Sequence, residues 1–422
     1  MAKALYIHIP FCDQICSYCD FPKVFSKGQD TDAYLTSLIT ELARYEKTIG
    51  FSRLQTVYIG GGTPTVLTTN QLDKLFVYLH AVINFDQLEE VSIEANPESL
   101  NDVAKIACLK GHGVTRVSLG VQTFNENHLQ ILERSHTRKD VEAVVALLSK
   151  ENFQINLDMI YGIPTQTLKD WEDDLAIICQ LPITHVSAYS LILEEHTKFY
   201  LAYMKDKLNL IDNVVEAKMF ERVIDQLTAA GFEHYEISNF TRGERSKHNL
   251  AYWKNQCYIG VGLGAHGQIG DQPVRYENTR GISKYKQALA AGDLPVSKAH
   301  PLTWKEQIEE SMFLGLRLME GVDLNQLNNR YRKSTDKDTS NRGVSNKDVF
   351  ALYNKLGEGR QQSVCALYNE SATEPLDVFS LYNKRIDKLR KQGYVSFEAG
   401  VLKLTRKGLM MANDVFEEFL LS

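Results

Sequence analysis

Three cysteines stand within eight residues near the start of the chain, in the stretch FCDQICSYCDF. Cys12, Cys16 and Cys19 have the spacing C-x3-C-x2-C, and such a cluster in a reducing compartment is typical of metal binding or redox chemistry. Structural zinc sites and iron–sulfur clusters usually take four protein ligands. The nearest other donors are His8 and Asp20, and no second cysteine pair follows. The spacing predicts a metal site and leaves its fourth ligand open, with a zinc site and unrelated core cysteines as the alternatives.

The composition is that of an ordinary globular protein of 422 residues, 44% hydrophobic and 24% charged, with a formal net charge of −6. Such mild acidity argues against a dedicated nucleic-acid binder, which normally has a basic excess. The start, MAKALYIHIP, has no charged segment followed by a long apolar run, and no window reaches about 18 apolar residues. We therefore expect a cytoplasmic protein without a signal peptide or a transmembrane helix. The four scattered cysteines are expected to be buried thiols.

Six short runs rich in β-branched residues predict strands in the first half of the chain. They are LYIHIP (5–10), TVYIGG (56–61), EVSIEAN (90–96), RVSLGVQ (116–122), INLDMIYG (155–162) and HVSAYSL (185–191). Helical stretches such as 32–45 and 70–83 separate them, and this alternation indicates a parallel sheet with helices outside it. Because six units are fewer than the eight of a closed barrel, the sequence predicts an α/β fold with an open, partial (β/α)6 TIM-like barrel. Its chemistry should collect at the carboxyl ends of the strands.

The pattern changes after about residue 210, and we expect three parts in the chain. They are a partial barrel at 1–212, an extension of it that carries the motif HNLAYW at 213–300, and a mostly helical C-terminal domain at 301–422. Two short apolar runs around Gly400 predict a hairpin, and the tail as a whole resembles a winged helix. DVFALYNK (348–355) recurs as DVFSLYNK (377–384), which we interpret as a local duplication at a polar insertion spanning about 333–376.

The cysteine spacing, on a loop after the first predicted strand, resembles the radical S-adenosylmethionine (SAM) superfamily. In that superfamily three thiolates hold three irons of a [4Fe–4S] cluster, and the amino and carboxylate groups of SAM chelate the fourth iron. The resemblance therefore implies that SAM completes the site and that its reductive cleavage yields a 5′-deoxyadenosyl radical. It identifies Cys12, Cys16 and Cys19 as the cluster ligands.

Further motifs at the predicted strand ends match the SAM pocket of the same superfamily. GGGTPT ends the second strand, where glycines let backbone approach a ligand, although a plain tight turn is the alternative. The resemblance places this loop beside the methionyl group of SAM, and the glutamate of IEANPE at its ammonium or ribose. Taken one at a time, the polar side chains have structural explanations as well. The residues carried over are Tyr6, Tyr18, Gly61, Gly62, Thr63, Glu94, Gln122, Arg134, Asp158 and Ser190.

Five stretches look like the oxygen-independent coproporphyrinogen III oxidase group of that superfamily: YIHIPFC, GGGTPT, IEANPE, SLGVQTF and IYGIPTQT. The likeness covers roughly residues 4–300 in motif detail. Two departures separate the chain from the oxidase itself. The oxidase has a further cysteine two residues past the third, where this chain has Phe21. The oxidase also carries an extension ahead of its first strand, and we expect that extension to be absent here because the first predicted strand starts at about residue 5. Both departures put decarboxylation of coproporphyrinogen in doubt.

The stretch HNLAYW fits the H-N-x-x-Y-W signature of the haem chaperone branch of this group, HemW. Neutral imidazole is a good axial ligand for haem iron, and on a helix His248 and Tyr252 would share one face. Trp253 adds flat apolar area for a porphyrin edge. The resemblance predicts haem binding with His248 as the ligand, and Cys257 and His266 lie nearby in sequence. A capped helix packed on the barrel is the structural alternative.

We therefore expect a haem chaperone that binds haem, a [4Fe–4S] cluster and SAM, and that delivers haem to an acceptor protein. The alternative is a radical SAM oxidoreductase that acts on a porphyrinogen. A nucleic-acid module in the basic stretch KRIDKLRKQGY is a weaker hypothesis, because charged helix faces are usually only solvated. The chaperone hypothesis adds an electron donor as a partner and leaves open a homodimer, a transient membrane association and the use of SAM cleavage.

Overall fold

The computed structural model describes residues 2–271, 273–335 and 377–421, without the side chains of 332–335. The described strands are β1 (Ala4–Ile9), β2 (Phe11–Cys12), β3 (Val24–Phe25), β4 (Thr56–Gly61), β5 (Glu90–Ala95), β6 (Arg116–Gln122), β7 (Gln154–Tyr161), β8 (His185–Ser190), β9 (Glu233–Glu236), β10 (Asn239–Thr241), β11 (Tyr258–Val261), β12 (His266–Ile269), β13 (Val274–Asn278), β14 (Val296–Pro301), β15 (Val322–Asp323), β16 (Val395–Glu398) and β17 (Val401–Leu404).

The described helices alternate with these strands in the first half and dominate the last quarter. They are α1 (Thr31–Ile49), α2 (Thr69–Val82), α3 (Pro97–Leu100), α4 (Val103–Gly111), α5 (Glu126–Ile131), α6 (Arg138–Lys150), α7 (Leu168–Gln180), α8 (Lys198–Tyr203), α9 (Asn213–Ala229), α10 (Lys247–Trp253), α11 (Ile282–Ala290), α12 (Trp304–Gly315), α13 (Leu324–Thr335), α14 (Val378–Lys391), α15 (Arg406–Met410) and α16 (Ala412–Glu417). Two 3-10 turns, Pro64–Val66 and Phe85–Gln87, flank α2.

Twelve strands form one open sheet in the order β14-β13-β12-β11-β1-β4-β5-β6-β7-β8-β10-β9. Its centre, from β1 through β4 to β8, is parallel throughout and contains the six strands that the sequence predicts. The observed ends of these strands lie within one residue of the predicted ends. The predicted α/β partial barrel is therefore confirmed.

The sheet also extends past the six predicted strands on both sides. β11 pairs in parallel with β1, and β12, β13 and β14 follow it in antiparallel register. On the far side β10 and β9 add two antiparallel strands beside β8. Because β11 lies next to β1, a segment some 250 residues later in the chain reaches the strand that leads into the cysteine loop.

Helix α1 shows how the outer helices pack on this sheet. Its N-terminus is capped by Asp30, whose side chain accepts the Ala33 amide at 2.9 Å. Its buried side chains recur every three or four residues, as an amphipathic helix requires: Tyr34, Leu35, Leu38, Glu41, Leu42 and Tyr45. Truncating one such leucine to alanine costs about 2–5 kcal/mol. The one charged member of this face, Glu41, accepts hydrogen bonds from Gly262 and Asn278, which lie at the two ends of the β12–β13 segment.

The C-terminal region forms a second core of buried side chains drawn from α12, α13, α14 and the strands β15 to β17. The hairpin that the sequence predicts around Gly400 is present as β16 and β17. Its turn residues Ala399 and Gly400 have φ angles of 51° and 83°, as a two-residue hairpin turn of the I′ type needs. With β15 as third strand and flanking helices, the winged-helix-like arrangement is confirmed.

The two boundaries between the three predicted parts stay a prediction, since β11 to β14 of the segment 213–300 continue the barrel sheet. The repeat at 348–355 lies outside the described residues, whereas the copy at 377–384 opens α14 with Asp377 as the N-cap. Among the described helices, not one combines the length and the apolar character that crossing a bilayer requires.

Candidate functional site

The cysteine loop leaves the carboxyl end of β1 and is held in place by backbone hydrogen bonds. Its first turn is pinned where Ser26 N donates to Cys12 O at 2.8 Å, beside the two-residue strands β2 and β3. From outside, α8 supports the middle of the loop, because Phe199 N donates to Ser17 O at 3.0 Å. The loop geometry is thus fixed by the backbone.

The three thiols line one cavity, with Cys12 buried and Cys16 and Cys19 half-buried. Burial raises the pKa of the Cys12 thiol to about 11, and the hydrogen bond from Thr63 offsets part of this rise. Burial likewise raises the pKa of Cys19, with Lys23 opposing it. Cysteine binds metals as the thiolate, so iron would have to displace these protons and supply the missing positive charge.

Gly61 and Gly62 end β4 close against the cysteine loop. A Cβ atom on Gly62 would lie 2.7 Å from Phe11 O and 2.9 Å from Cys12 Sγ. Gly61 has a φ of 119°, and a Cβ there would lie 2.6 Å from the His8 ring. A tight turn alone does not explain these glycines, because a side chain on Gly62 would collide with the cysteine loop and one on Gly61 with the His8 ring.

A chain of hydrogen bonds connects two of the cysteines through residues that follow β4, β5 and α5. Arg134 donates through Nη1 to Cys16 Sγ (3.6 Å) and through Nη2 to Asn96 Oδ1 (2.9 Å). Asn96 Nδ2 donates to Thr63 Oγ1 (3.1 Å), and the Thr63 hydroxyl donates to Cys12 Sγ (3.8 Å). Each donor along this chain favours a negatively charged sulfur at its end.

Two carboxyl groups face the same cavity from β5 and β7. Glu94 accepts hydrogen bonds from Tyr58 OH at 2.7 Å and from Gly61 N at 2.9 Å, yet burial raises its pKa to about 7. Asp158 accepts from Ser118 Oγ at 2.7 Å, and burial raises its pKa as well. Each group gains from a ligand that donates hydrogen bonds or brings positive charge.

The fourteen residues that the sequence nominates all line this one cavity, which has a volume of about 970 Å³. That volume lies at the upper end of the roughly 300–1,000 Å³ typical of ligand sites. Gln122 closes β6 in a left-handed conformation with φ 68°, Tyr18 packs against Phe199 with ring centroids 6.5 Å apart, and Ser190 donates to Glu216. The structure brings the nominated residues together; the role of each stays a prediction.

The motif HNLAYW forms helix α10, with Ser246 as its N-cap, and borders the same cavity. His248 and Tyr252 share one face as expected, with His248 Nε2 2.8 Å from Tyr252 OH. His248 Nδ1 lies 2.8 Å from Thr56 Oγ1, and the ring is wholly buried against Tyr58. Both ring nitrogens of His248 are therefore engaged within the protein.

The ring of His248 belongs to an aromatic wall that crosses the cavity. Tyr6 stacks on Tyr58 at a centroid distance of 6.1 Å, and Tyr58 stacks on His248 at 5.0 Å. Tyr252 meets His248 edge-on at 5.0 Å, and Tyr258 meets Tyr252 edge-on at 4.7 Å. The wall leads from the cysteine strand β1 to β11 and offers a flat apolar ligand a continuous surface.

A buried ion pair anchors helix α10 to the barrel. Glu90, at the start of β5, lies 3.1 Å from Arg116 Nε and accepts the backbone amides of Lys247 (2.9 Å) and His248 (3.2 Å). Burial alone would raise the pKa of Glu90, but the Arg116 charge and the two amides lower it overall. The carboxylate thus stays ionised at the amino end of α10, where the helix dipole favours it.

A second buried carboxyl group anchors the strands that follow α10. Glu41 on α1 accepts from Gly262 N at 2.8 Å, Asn278 Nδ2 at 2.7 Å and Tyr285 OH at 2.5 Å. Burial raises the pKa of Glu41 to about 7 in spite of these donors. The group fixes both ends of the β12–β13 hairpin onto helix α1, and this hairpin lines the cavity.

Sequence reasoning missed several residues of the cavity. Asn96 stands in the quoted motif IEANPE next to Glu94, so the motif itself carried a signal for it. Tyr58 stands in the quoted run TVYIGG, which predicts its strand but not its role. Gln268 and Arg275 line the cavity without a comparable signal, since their position follows from strand pairing across distant parts of the chain.

Comparison with known proteins assigns this chain to a family. The model of the radical SAM superfamily matches residues 6–178. The heme chaperone HemW of Lactococcus lactis is 38% identical over 99% of this chain and 97% of its own length. The heme chaperone HemW of Bacillus subtilis is 41% identical over 83% of this chain and 94% of its own length.

This chain belongs to the HemW family of the radical SAM superfamily. Its fold is similar to that of the coproporphyrinogen III oxidase HemN of Escherichia coli, with a TM-score of 0.76 over 100% of this chain and 90% of that chain, at 21% sequence identity. At that identity the likeness concerns the fold alone. The superfamily implies SAM and a [4Fe–4S] cluster as cofactors.

The residues present fit that cluster and SAM. The donor set is three thiols on one short loop, and no fourth protein thiol lines the described cavity beside them. Arg134 Nε is buried without a hydrogen-bond partner among the described residues, which suits a carboxylate ligand. Cys12, Cys16 and Cys19 would hold the cluster, and Arg134 and Glu94 would bind SAM. When bound, the pair supplies a low-potential electron and a cleavable sulfonium.

Proposed function

We propose that this HemW-family protein is a haem chaperone, which carries haem beside a SAM-chelated [4Fe–4S] cluster and passes it to an acceptor protein. One observation carries the proposal: the cysteine loop and the HNLAYW helix border the same cavity of about 970 Å³. A macrocycle held there would lie beside the cofactors, and its transfer could then depend on their state.

The aromatic wall supports a flat, apolar cargo. The rings of Tyr58, Tyr252 and Tyr258 form an aromatic surface that is more extended than a small polar substrate would contact. Arg275 and Arg280 also line the cavity and bring positive charge, and haem carries two propionate groups. An apolar surface with cations in the same cavity matches the chemistry of a porphyrin carboxylate.

Further partners follow from the same proposal. The cluster needs an electron donor, and three thiols kept free for iron suit the reducing cytoplasm. The proposal also includes a protein that accepts the haem. A transient membrane contact and a homodimer are further interactions through which the haem-loaded protein would reach that acceptor.

The alternative function is a radical SAM oxidoreductase that acts on a porphyrinogen. One experiment separates the two: the anaerobically reconstituted protein receives SAM, a low-potential reductant and either haem or coproporphyrinogen. Iron, sulfide, 5′-deoxyadenosine, porphyrin products and the haem Soret band are followed. Cys16→Ser removes a predicted cluster ligand, and Cys179→Ser, a scattered half-buried cysteine, is the matched control.

The proposal predicts one haem bound per chain, with coproporphyrinogen unchanged. It also predicts that Cys16→Ser loses iron and sulfide, whereas Cys179→Ser retains them. Conversion of coproporphyrinogen to protoporphyrinogen with matching amounts of 5′-deoxyadenosine would contradict the chaperone function and establish the oxidase. Absence of haem binding by the wild-type protein would also contradict it.

A further inference from the structure

Three histidine rings line the cavity among the described residues, and they differ in what their nitrogens contact. They are His8, His248 and His266. We infer that His266, and not the motif histidine His248, ligates the haem iron, an inference that rests on the haem chaperone function proposed above.

Both ring nitrogens of His8 and of His248 already have hydrogen-bond partners within the protein, so neither ring has a nitrogen free to bind iron. Tyr6 OH lies 2.9 Å from His8 Nδ1, and His8 Nε2 lies 2.7 Å from Pro22 O. Both rings are also buried, with exposed fractions of 2% for His8 and 0% for His248. A haem iron at His248 would have to displace the hydroxyl of Tyr252 or Thr56 and open the aromatic wall. Each lost hydrogen bond would leave a buried polar group unpaired, which is unfavourable.

His266 begins β12 and offers both of its ring nitrogens. Its side chain is half exposed, and the nearest charged partner, Glu277 Oε1, lies 4.0 Å from Nε2, beyond hydrogen-bond distance. Neither ring nitrogen has a hydrogen-bond partner in the part of the chain that the structure describes. Partial burial lowers the pKa of His266, with Glu277 opposing and Arg280 and Arg275 adding to the effect. This shift favours the neutral ring, which is the form that binds iron.

The strand register places His266 beside groups that suit the rest of the haem. β12 pairs with β13 so that His266 faces Glu277 and Gln268 faces Arg275. Arg275 bonds Gln268 Oε1 at 2.6 Å and Glu310 Oε2 at 2.9 Å, which holds its guanidinium at the cavity. Its Nε is buried without a partner among the described residues and remains available to a propionate.

The other donors near the motif are less suited to iron. The Cys257 thiol lies 3.5 Å from Gly270 O, and its residue is not part of the cavity lining. Burial raises the pKa values of Tyr252 and Tyr258, so both remain protonated phenols. In this arrangement His248 is a positioning residue, since it bridges Thr56 and Tyr252 and keeps the aromatic wall in place.

The test is a haem titration of the full-length, cluster-loaded protein, with wild type, His266→Ala, His248→Ala and His300→Ala. His300 is an exposed histidine on strand β14, which β13 separates from β12; it lies outside the cavity and serves as the control. The readouts are the Soret band, the iron–histidine stretching band of the ferrous protein and the response to added imidazole. Thermal unfolding of each variant checks that it is folded.

We expect His266→Ala to lose the iron–histidine band and to weaken haem binding by about tenfold or more. Added imidazole should restore its spectrum, because a free ligand can occupy the vacated position. His248→Ala should keep the band, and any loss of affinity in it should not respond to imidazole.

Two results would overturn the inference: an unchanged iron–histidine band in His266→Ala, or imidazole rescue of a lost band in His248→Ala. A wild-type protein that binds no haem would instead refute the proposed function, and the two failures are thus distinguishable.

Discussion

The two halves of the cavity are held together in different ways. The cysteine half consists of loops at the carboxyl ends of neighbouring parallel strands, fixed by backbone bonds and by close glycine contacts such as that of Gly62. The other half consists of α10 and the β12–β13 hairpin, which come from much later in the chain. Two buried carboxyl groups, Glu90 and Glu41, fasten these elements to the barrel.

This difference explains which residues of the cavity can be recognised from short sequence motifs. Residues that share a loop or a strand end can be recognised from local spacing, whereas residues joined through a buried charge cannot. It also predicts that a substitution in one half of the cavity leaves the structure of the other half largely intact.

The largest effect is expected in the cysteine half, from Gly62→Ala. The new methyl group would lie 2.7 Å from Phe11 O and 2.9 Å from Cys12 Sγ, so the cysteine loop must move. We expect iron and sulfide after reconstitution to fall to background while the unfolding transition remains cooperative. Gly111→Ala is the control, because no atom lies within 4 Å of the added Cβ there. Full cluster content in Gly62→Ala would refute the close-approach argument.

The next effect is expected in the other half, from Glu90→Ala. Removing the carboxylate leaves Arg116 buried without its charge partner and leaves the amino end of α10 uncapped. Breaking such a buried pair lowers the free energy of unfolding by about 3–5 kcal/mol. Urea unfolding measures this loss. Glu89→Ala alters the exposed neighbour and should cost far less; equal losses in the two variants would contradict the anchoring role.

A smaller effect concerns Glu41 and pH. Its pKa in the folded protein is raised from 4.5 to about 7, so the folded state holds a proton that the unfolded state releases across this interval. The stability that this group contributes is complete below about pH 4.5 and falls as the pH rises to 7. Between pH 5 and 8 the free energy of unfolding of the wild type should fall by up to about 3 kcal/mol more than that of Glu41→Gln.

The control for the pH prediction is Glu46→Gln, an exposed position on the same helix α1. It should retain the pH dependence of the wild type. If Glu41→Gln shows the same dependence as the wild type, the buried carboxyl group does not titrate in this range.

The smallest effect is expected from Thr63→Val. This change removes the hydroxyl that donates to Cys12 Sγ and accepts from Asn96. A hydrogen bond of this kind contributes about 1 kcal/mol, which is about fivefold in an equilibrium constant. The cluster should therefore be lost to a chelator about fivefold more readily. Thr63→Ser keeps the hydroxyl and should behave as the wild type; identical chelation of all three proteins would refute the hydrogen-bonded chain.

Much of the fold and of the cysteine half was predictable from the sequence. The six parallel strands have β-branched runs, and Cys12, Gly62 and Glu94 each stand in a short motif at a strand end. The strands β11 to β13 were not predictable, because their place depends on parallel pairing of β11 with β1 across some 250 residues. The engagement of His248 was equally hidden, since its partner Thr56 lies on β4.

The most direct test of the account is whether haem and the iron–sulfur cluster occupy the same cavity. The measurement is electron paramagnetic resonance of the reduced cluster in the SAM-loaded protein, with and without one equivalent of haem reconstituted in a paramagnetic state. Haem should bind while the cluster is present, and its paramagnetism should broaden the cluster signal and speed the relaxation of that signal. An unchanged cluster signal at full haem occupancy would place haem elsewhere on the protein and contradict the shared cavity.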